Sequence, residues 1–323
     1  TLDYSEATGA QNIDLSAGTA TGADGNDTIS GFENVTGTEF NDTITGDEAD
    51  NVINGGAGND MLIGGAGDDI LDGGAGDDSF VGELGDDTYI GGSGADTLDY
   101  SDAASGLNIN LGTNTATGED TGTDTFGGIE QIIASDHDDV ITGGGNNDTI
   151  LAGDGDDSIT GGAGNDLVEG GAGNDTISGG AGNDTLDGGE GEDTLSFTGE
   201  SGVSVDLQTG ATSTSDTISN FENITGSVGA DTLRGDGERN TLSGEAGNDI
   251  LDGRAGDDVL LGGAGNDALR GGVGSDTIDG GAGNDTLDLS DLSGDQTVDF
   301  TDGTATNGID TDTFTNIENV TTG

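Results

Sequence analysis

Aspartate recurs in this chain at intervals of nine residues, framed each time by glycine. The hexapeptide Gly-Gly-Ala-Gly-Asn-Asp starts at Gly55, Gly161, Gly170, Gly179, Gly262 and Gly280. Extending that frame gives three arrays of seven nonapeptides, residues 37–99, 134–196 and 226–288, in which position six is Asp in 19 of 21 units. In the first array these are Asp42, Asp60, Asp69, Asp78, Asp87 and Asp96; in the second Asp139, Asp148, Asp157, Asp166, Asp175, Asp184 and Asp193; in the third Asp231, Asp249, Asp258, Asp267, Asp276 and Asp285. Asn51 and Asn240 stand in the two remaining units, each the second of its array. Carboxylates in so regular a register repel one another and call for a cationic partner.

The composition narrows the chemistry further. The 323 residues carry 66 acidic side chains against 4 arginines, a formal net charge of −62, with no Lys and no Cys. Such a surface repels nucleic acid, anionic membranes and polyanionic glycans, whose recognition needs clustered positive charge. Without Cys there is no disulfide framework and no thiolate site. The glycine-rich loops lack the lysine of a phosphate-binding loop. His137 is the only histidine, so the chain builds neither a zinc protease site nor a Ser-His-Asp triad, and no enzymatic activity is expected of it. No apolar run reaches the 18 or so residues of a membrane span. Asn-Asp-Thr at Asn41, Asn147, Asn174, Asn183 and Asn284 matches a glycosylation sequon, but the repeat already accounts for the triplet. Randomly placed solubilising acids would not keep a nine-residue register.

The elements that must position these carboxylates are turns and very short strands. Glycine at positions one, two and four supplies the positive φ of a sharp turn without a Cβ clash. The remaining triplet reads x-apolar-x, with position eight apolar in every unit, so one side chain points inward and two outward. Only 29% of the chain is hydrophobic, far below an ordinary globular domain. The expected core is a thin ladder of one Leu, Ile, Val, Phe or Tyr per triplet, too slight to hold the fold alone.

The units read Gly-Gly-x-Gly-x-Asp-x-apolar-x, and the chain resembles the RTX family, the haemolysin-type calcium-binding repeats of secreted bacterial proteins. The resemblance implies an all-β fold of parallel β-roll (β-solenoid) arrays in tandem, with the six-residue turns holding Ca²⁺ and the position-six aspartates as ligands. It also implies export by a type I secretion apparatus as an unfolded chain, and an extracellular location. Ca²⁺ takes six to eight oxygens from carboxylates and backbone carbonyls. With two units per coil, Asp166 would share an ion with Asp184, and Asp157 with Asp175. Without the ion, two carboxylates about 5 Å apart repel by about 3 kcal/mol at an effective dielectric of 20. The chain is therefore expected to be disordered without calcium and to fold as calcium binds. The gaps between stacked turns allow at most about 15 ions over the three arrays. The irregular first coils, with Asp47-Glu48-Ala49 and Ser135-Asp136-His137, should hold ions weakly or not at all, and the best sites should lie in 55–99, 152–196 and 244–288.

A second repeat lies between the arrays. Thr1-Leu2-Asp3-Tyr4 recurs at Thr97-Leu98-Asp99-Tyr100, Thr194-Leu195-Ser196-Phe197 and Thr286-Leu287-Asp288-Leu289. Each copy leads to an alternating strand, a Thr/Gly turn and a closing element: Phe32-Glu33-Asn34-Val35, Ile129-Glu130-Gln131-Ile132, Phe221-Glu222-Asn223-Ile224 or Ile317-Glu318-Asn319-Val320. These read as β-strand capping blocks that cover the ladder ends and join one roll to the next. The expected layout is a partial roll end with a capping block over 1–36, arrays at 37–99, 134–196 and 226–288, and capping blocks at 100–133, 197–225 and 289–323. Because both ends match parts of that frame, the parent protein is expected to continue in both directions. The alternative function is a calcium-dependent adhesin or carbohydrate-binding region with a cell-surface or glycan ligand. An ice-facing role is disfavoured, since position three is mostly Ala.

Overall fold

The computed structural model describes residues 1–290 and 296–322. Residues 291–295 and 323 of the last expected block lie outside them. All regular structure among the described residues is β, in strands of two to six residues, with no helix. The chain divides into two compact units, residues 1–172 and 173–323.

In the first unit two parallel ladders carry the apolar positions. One steps through Leu2, Val35, Ile53, Leu71, Tyr89 and Phe126. The other steps through Ile13, Ile44, Leu62, Phe80, Leu98, Ile132, Ile150 and Val168. Partners within an array are 18 residues apart, as in Leu62↔Phe80, so one coil is two nonapeptides. Residues 100–133 are threaded into both ladders. Gly122–Gly127 continues the ladder from Thr88–Ser93, Thr115–Gly118 runs antiparallel to it and to Leu107–Asn110, and Leu107–Asn110 passes the ladder on to Val140–Thr142. On the other face Gln131–Ile133 pairs with both Thr97–Asp99 and Thr149–Asp154.

The second unit repeats the design. One ladder runs Ile177, Leu195, Ile224, Leu242, Leu260, Ile278 and Phe314. The other passes from Leu186 to Ile218, crosses an antiparallel strand at Ala211–Thr212, and resumes as Val205, Leu233, Leu251, Leu269, Leu287 and Val320.

The alternation expected of each triplet is observed. In Ile70–Ala75 the burial alternates, with Leu71 and Gly73 buried and Ile70 exposed. All 21 position-eight side chains are at most 1% exposed, so the thin ladder is a true core. Several strands run to six residues rather than three, because glycines at the start of each turn also pair, as Gly74 does with Gly56 and Gly92. A side chain there would collide: a Cβ on Gly74, whose φ is +98°, would fall 2.2 Å from the Gly56 carbonyl oxygen.

Truncation inside this ladder should be costly and truncation beside it cheap. Leu251→Ala, buried between Leu233 and Leu269, is expected to lower the stability of the calcium-loaded protein by about 2–5 kcal/mol. Ile250→Ala, at 51% exposure, should change it by no more than about 0.5 kcal/mol. Denaturant unfolding in saturating calcium measures both.

Candidate metal centre

The nineteen position-six aspartates, with Asn51 and Asn240, are all buried, none more than 5% exposed. The short turns aim each side chain inward, and the 18-residue coil stacks them in columns. The backbone N–H of one donates to Oδ1 of the next: Asp42 to Asp60, Asp60 to Asp78, and Asp78 to Asp96, at 2.7–2.8 Å. Asn51, Asp69 and Asp87 form the facing column. Later in the first unit Asp139 donates to Asp157 and Asp148 to Asp166. In the second unit Asp175 donates to Asp193, and the columns Asp231–Asp249–Asp267–Asp285 and Asn240–Asp258–Asp276 repeat the pattern.

The other carboxylate oxygen divides the turns into two kinds. In the first turn of each array it is filled from within: position two donates its N–H to Oδ2, and its hydroxyl also reaches the carboxylate, in Thr38–Asp42, Ser135–Asp139 and Ser227–Asp231. The second turns do the same with the N–H alone, from Asp47 to Asn51, Gly144 to Asp148 and Asp236 to Asn240. Further along, position two adopts positive φ, at Gly56 (+109°), Gly65 (+104°) and Gly272 (+105°) for example. In ten of those turns Oδ2 is buried and has no hydrogen-bond donor. This holds for Asp60, Asp69, Asp78, Asp96, Asp193, Asp249, Asp258, Asp267, Asp276 and Asp285. Asp87 departs from the pattern, its Oδ2 accepting from the Tyr89 hydroxyl at 3.0 Å.

A buried carboxylate oxygen without a donor carries a desolvation penalty of several kcal/mol. A cation would remove it, and the surroundings fit one. Position one is glycine in 19 of 21 units, Ala134 and Ala152 being the exceptions, and beside several of these glycines the volume a Cβ would fill is lined by oxygens. A Cβ on Gly244 would lie 2.6 Å from Asp249 Oδ2 and 2.6 Å from the Gly262 carbonyl oxygen of the next coil. The corresponding distances are 2.2 and 2.9 Å at Gly55, to Asp60 Oδ2 and Gly73 O, and 2.3 and 2.7 Å at Gly253, to Asp258 Oδ2 and Gly271 O. Among the described residues no three acidic or histidine side chains gather around one point. The set is therefore carboxylate and carbonyl oxygen together, which suits a hard ion such as Ca²⁺ rather than a transition metal.

The electrostatics agree. Burial, reinforced by Asp42 and Asp78, raises the Asp60 carboxyl to about 7 despite the hydrogen bond from Asp42. Burial likewise raises Asp69, Asp249 and Asp258 to about 6. Without a cation these groups hold protons far above the usual carboxylate range.

Two sets of residues escaped the sequence reading. Position five, Asn or Asp in 16 of 21 units, forms an exposed column running the other way, in which Asn59 donates its N–H to Asn41 Oδ1, Asp77 to Asn59 and Ala95 to Asp77. The blocks between arrays supply acids that continue the position-six columns: Asp124 and Glu130 accept from Asp87 and Asp96, Asp216 and Glu222 from Asp184 and Asp193, and Asp312 and Glu318 from Asp276 and Asp285. The signal was available, since Asp-Thr-apolar-x-Gly/Asn-Phe/Ile-Glu occurs at 27–33, 124–130, 216–222 and 312–318.

A family model described as an RTX calcium-binding nonapeptide repeat matches residues 36–71, 63–98, 124–159, 160–195, 225–260 and 253–287, together more than half the chain. No curated protein matches it. Similar solved structures include the extracellular lipase LipA from Serratia marcescens, at 17% identity and a TM-score of 0.21 over 89% of this chain and 38% of the lipase. Another is a hyperactive, Ca²⁺-dependent, β-helical antifreeze protein from an Antarctic bacterium, at 20% identity and a TM-score of 0.25 over 88% of this chain and 85% of the other.

Two outcomes are expected. Gly244→Ala, by placing a methyl among the oxygens, should lower the number of calcium ions bound at saturation, counted by native mass spectrometry. In excess chelator, acidification should increase β structure. Folded carboxyls near 6–7 retain protons that unfolded ones release near 3.8, so stability contributed by protonation is full below about 4 and is lost as pH rises through about 6–7. A circular dichroism signal that stays flat between pH 7.5 and 4.5 would contradict this.

Proposed function

The chain belongs to the RTX calcium-binding nonapeptide repeat family, and on that premise we propose that it is a calcium-folded β-roll module of a secreted bacterial protein. The observation that carries the reading is the set of buried, donor-free Oδ2 atoms facing carbonyl oxygens across the position-one glycines. In this reading the position-six aspartates of the third and later turns, Asp87 apart, are the principal ligands. Those of the first turns, Asp42, Asp139 and Asp231, already have both oxygens engaged, so the ion count falls below the ceiling of about 15. The three arrays are the calcium modules, and the blocks at 100–133 and 197–225 couple one to the next.

Calcium binding and folding are then one equilibrium. The ligand oxygens converge only when successive coils stack, and stacked coils without the ion keep desolvated carboxylates in rows. In low-calcium cytoplasm the balance lies with the unfolded chain, which is the form a type I apparatus exports. Outside, millimolar calcium reverses it. A chain without cysteine crosses that boundary with no oxidation step. The module supports its parent by folding and by giving it extracellular structure.

Calcium titration followed jointly by circular dichroism and calorimetry tests the proposal. A cooperative gain of β signal with a stoichiometry of about 10–15 is expected. Full β signal in excess chelator at neutral pH would overturn it.

A further inference from the structure

Each array ends on a block that reproduces half of an interior turn, and from this we propose three additional calcium sites, each formed between the last nonapeptide and the block that follows. The first combines Asp96 with the Gly128 carbonyl and Glu130, the second Asp193 with the Asn220 carbonyl and Glu222, the third Asp285 with the Asn316 carbonyl and Glu318. The inference rests on the calcium reading of the arrays and extends it to residues outside the nonapeptide motif.

The geometry repeats three times. Inside an array, the space beside a position-one glycine is lined by Oδ2 of its own Asp and by the position-one carbonyl of the next coil, whose Asp in turn accepts from the first Asp's N–H. At the ends the block takes over both roles. A Cβ on Gly91 would meet the Gly128 carbonyl oxygen and Asp96 Oδ2 at 1.8 and 2.5 Å. On Gly188 it would meet Asn220 O and Asp193 Oδ2 at 2.0 and 2.8 Å, and on Gly280, Asn316 O and Asp285 Oδ2 at 2.1 and 2.9 Å. Asp96, Asp193 and Asp285 are 0% exposed, and each Oδ2 is buried without a donor. The glutamates complete the match, with Glu130, Glu222 and Glu318 accepting from the N–H of Asp96, Asp193 and Asp285 through Oε2, at 3.0, 2.8 and 2.8 Å.

The residue types follow from this task. Gly128, Asn220 and Asn316 have φ of +69°, +55° and +52°, the left-handed conformation that only Gly and Asn adopt readily. That conformation accompanies a turn in which the carbonyl faces the position-one glycine. The acid stands two residues after the carbonyl rather than five, and the extra methylene of Glu over Asp restores its reach. A carboxylate placed beside a buried, donor-free carboxylate makes the site worse for a proton-free, ion-free chain and better for a divalent cation.

Two of the three partner-column ends differ. There the block's acid is closed by a hydroxyl: Tyr100 donates to Asp124 Oδ2 at 2.7 Å, and Thr214 to Asp216 Oδ2 at 2.5 Å. The Tyr100 ring also lies where a Cβ on Gly82 would go. The glutamate ends have no such hydroxyl on their Asp Oδ2.

The test compares the full chain with the triple variant Glu130→Gln, Glu222→Gln and Glu318→Gln, counting calcium by native mass spectrometry at the lowest concentration that saturates the wild type. Gln keeps the acceptor for the aspartate N–H and removes the charge, so a merely structural role predicts no change. Three fewer ions, with an unchanged β spectrum in excess calcium, is the expected result. If the triple variant does not fold, each single variant should lose one ion, and a wild-type count in all three singles overturns the proposal. Asp258→Asn, inside the third array, separates the two readings. Loss of ions there with none lost in the glutamate variants removes the terminal sites and leaves the array reading intact, whereas no loss in either removes both.

Discussion

The fold turns on a buried carboxylate with one oxygen committed and the other left over. Oδ1 receives the N–H of the aspartate one coil earlier, and that bond stitches the turns into a column. Oδ2 must then be dealt with, because an unpaired charged oxygen away from water is among the most costly groups a protein can carry. The chain contains three answers. Position-two N–H groups and hydroxyls fill it in the first coil, Tyr89 fills it at Asp87, and for donor-free oxygens such as those of Asp60 and Asp249 a cation is the partner we propose. The switch between the first answer and the last is a backbone angle. In the first coils position two has negative φ and its N–H meets the side-chain oxygen of position six, and in the later turns with positive φ that bond is absent.

Everything else serves that arrangement. The apolar ladder is one side chain deep, which suffices to fix the parallel register, since a slip of one residue would turn Leu62, Leu71 and Phe80 outward and the aspartates away from one another. Glycine is needed for opposite reasons at neighbouring positions: at position one to leave volume among oxygens, at position two to reach positive φ. Two units reach positive φ at position two without glycine, with Glu245 at φ +66° and Arg254 at +76°. Arg254 has a compensating partner, a bidentate pair with Asp206 that also reaches the Gly235 carbonyl, and it accounts for one of the few cations in a chain of charge −62.

The period of nine made much of this legible. A requirement repeated in 21 units at one position leaves a visible register, so the buried aspartates and the apolar ladder could both be located from the residues alone. The all-β reading followed from the same spacing. What stayed hidden has two physical causes. Position five accepts Asn and Asp alike because the column needs only a side-chain oxygen, and its eight acidic members therefore resembled ordinary surface acids. Glu130, Glu222 and Glu318 occur once per block, and their role depends on a left-handed residue two places earlier, a conformation that sequence shows only as an unremarked Gly or Asn. The blocks read as β caps that also join one roll to the next, because their strands alternate. That Gln131–Ile133 lies between strands of two arrays depends on which strand is nearest in space, and no local pattern encodes it.

The column rather than the single turn is accordingly the unit that must form at once. An interior position-six aspartate such as Asp60 or Asp249 acts twice, presenting Oδ2 to the gap beside its own glycine and donating its N–H to the carboxylate of the next coil. Ordering one gap therefore positions a donor for its neighbour, and the coupling passes along the stack as nearest-neighbour terms do in other repeat proteins. Such a chain has a problem at its end, where the last aspartate's N–H has no further coil to receive it. Glu130, Glu222 and Glu318 on one column, and Asp124, Asp216 and Asp312 on the other, provide that acceptor. A side-chain oxygen is required there even where no ion is held, because a column of carboxylates closed by an apolar residue would leave its final buried N–H unpaired.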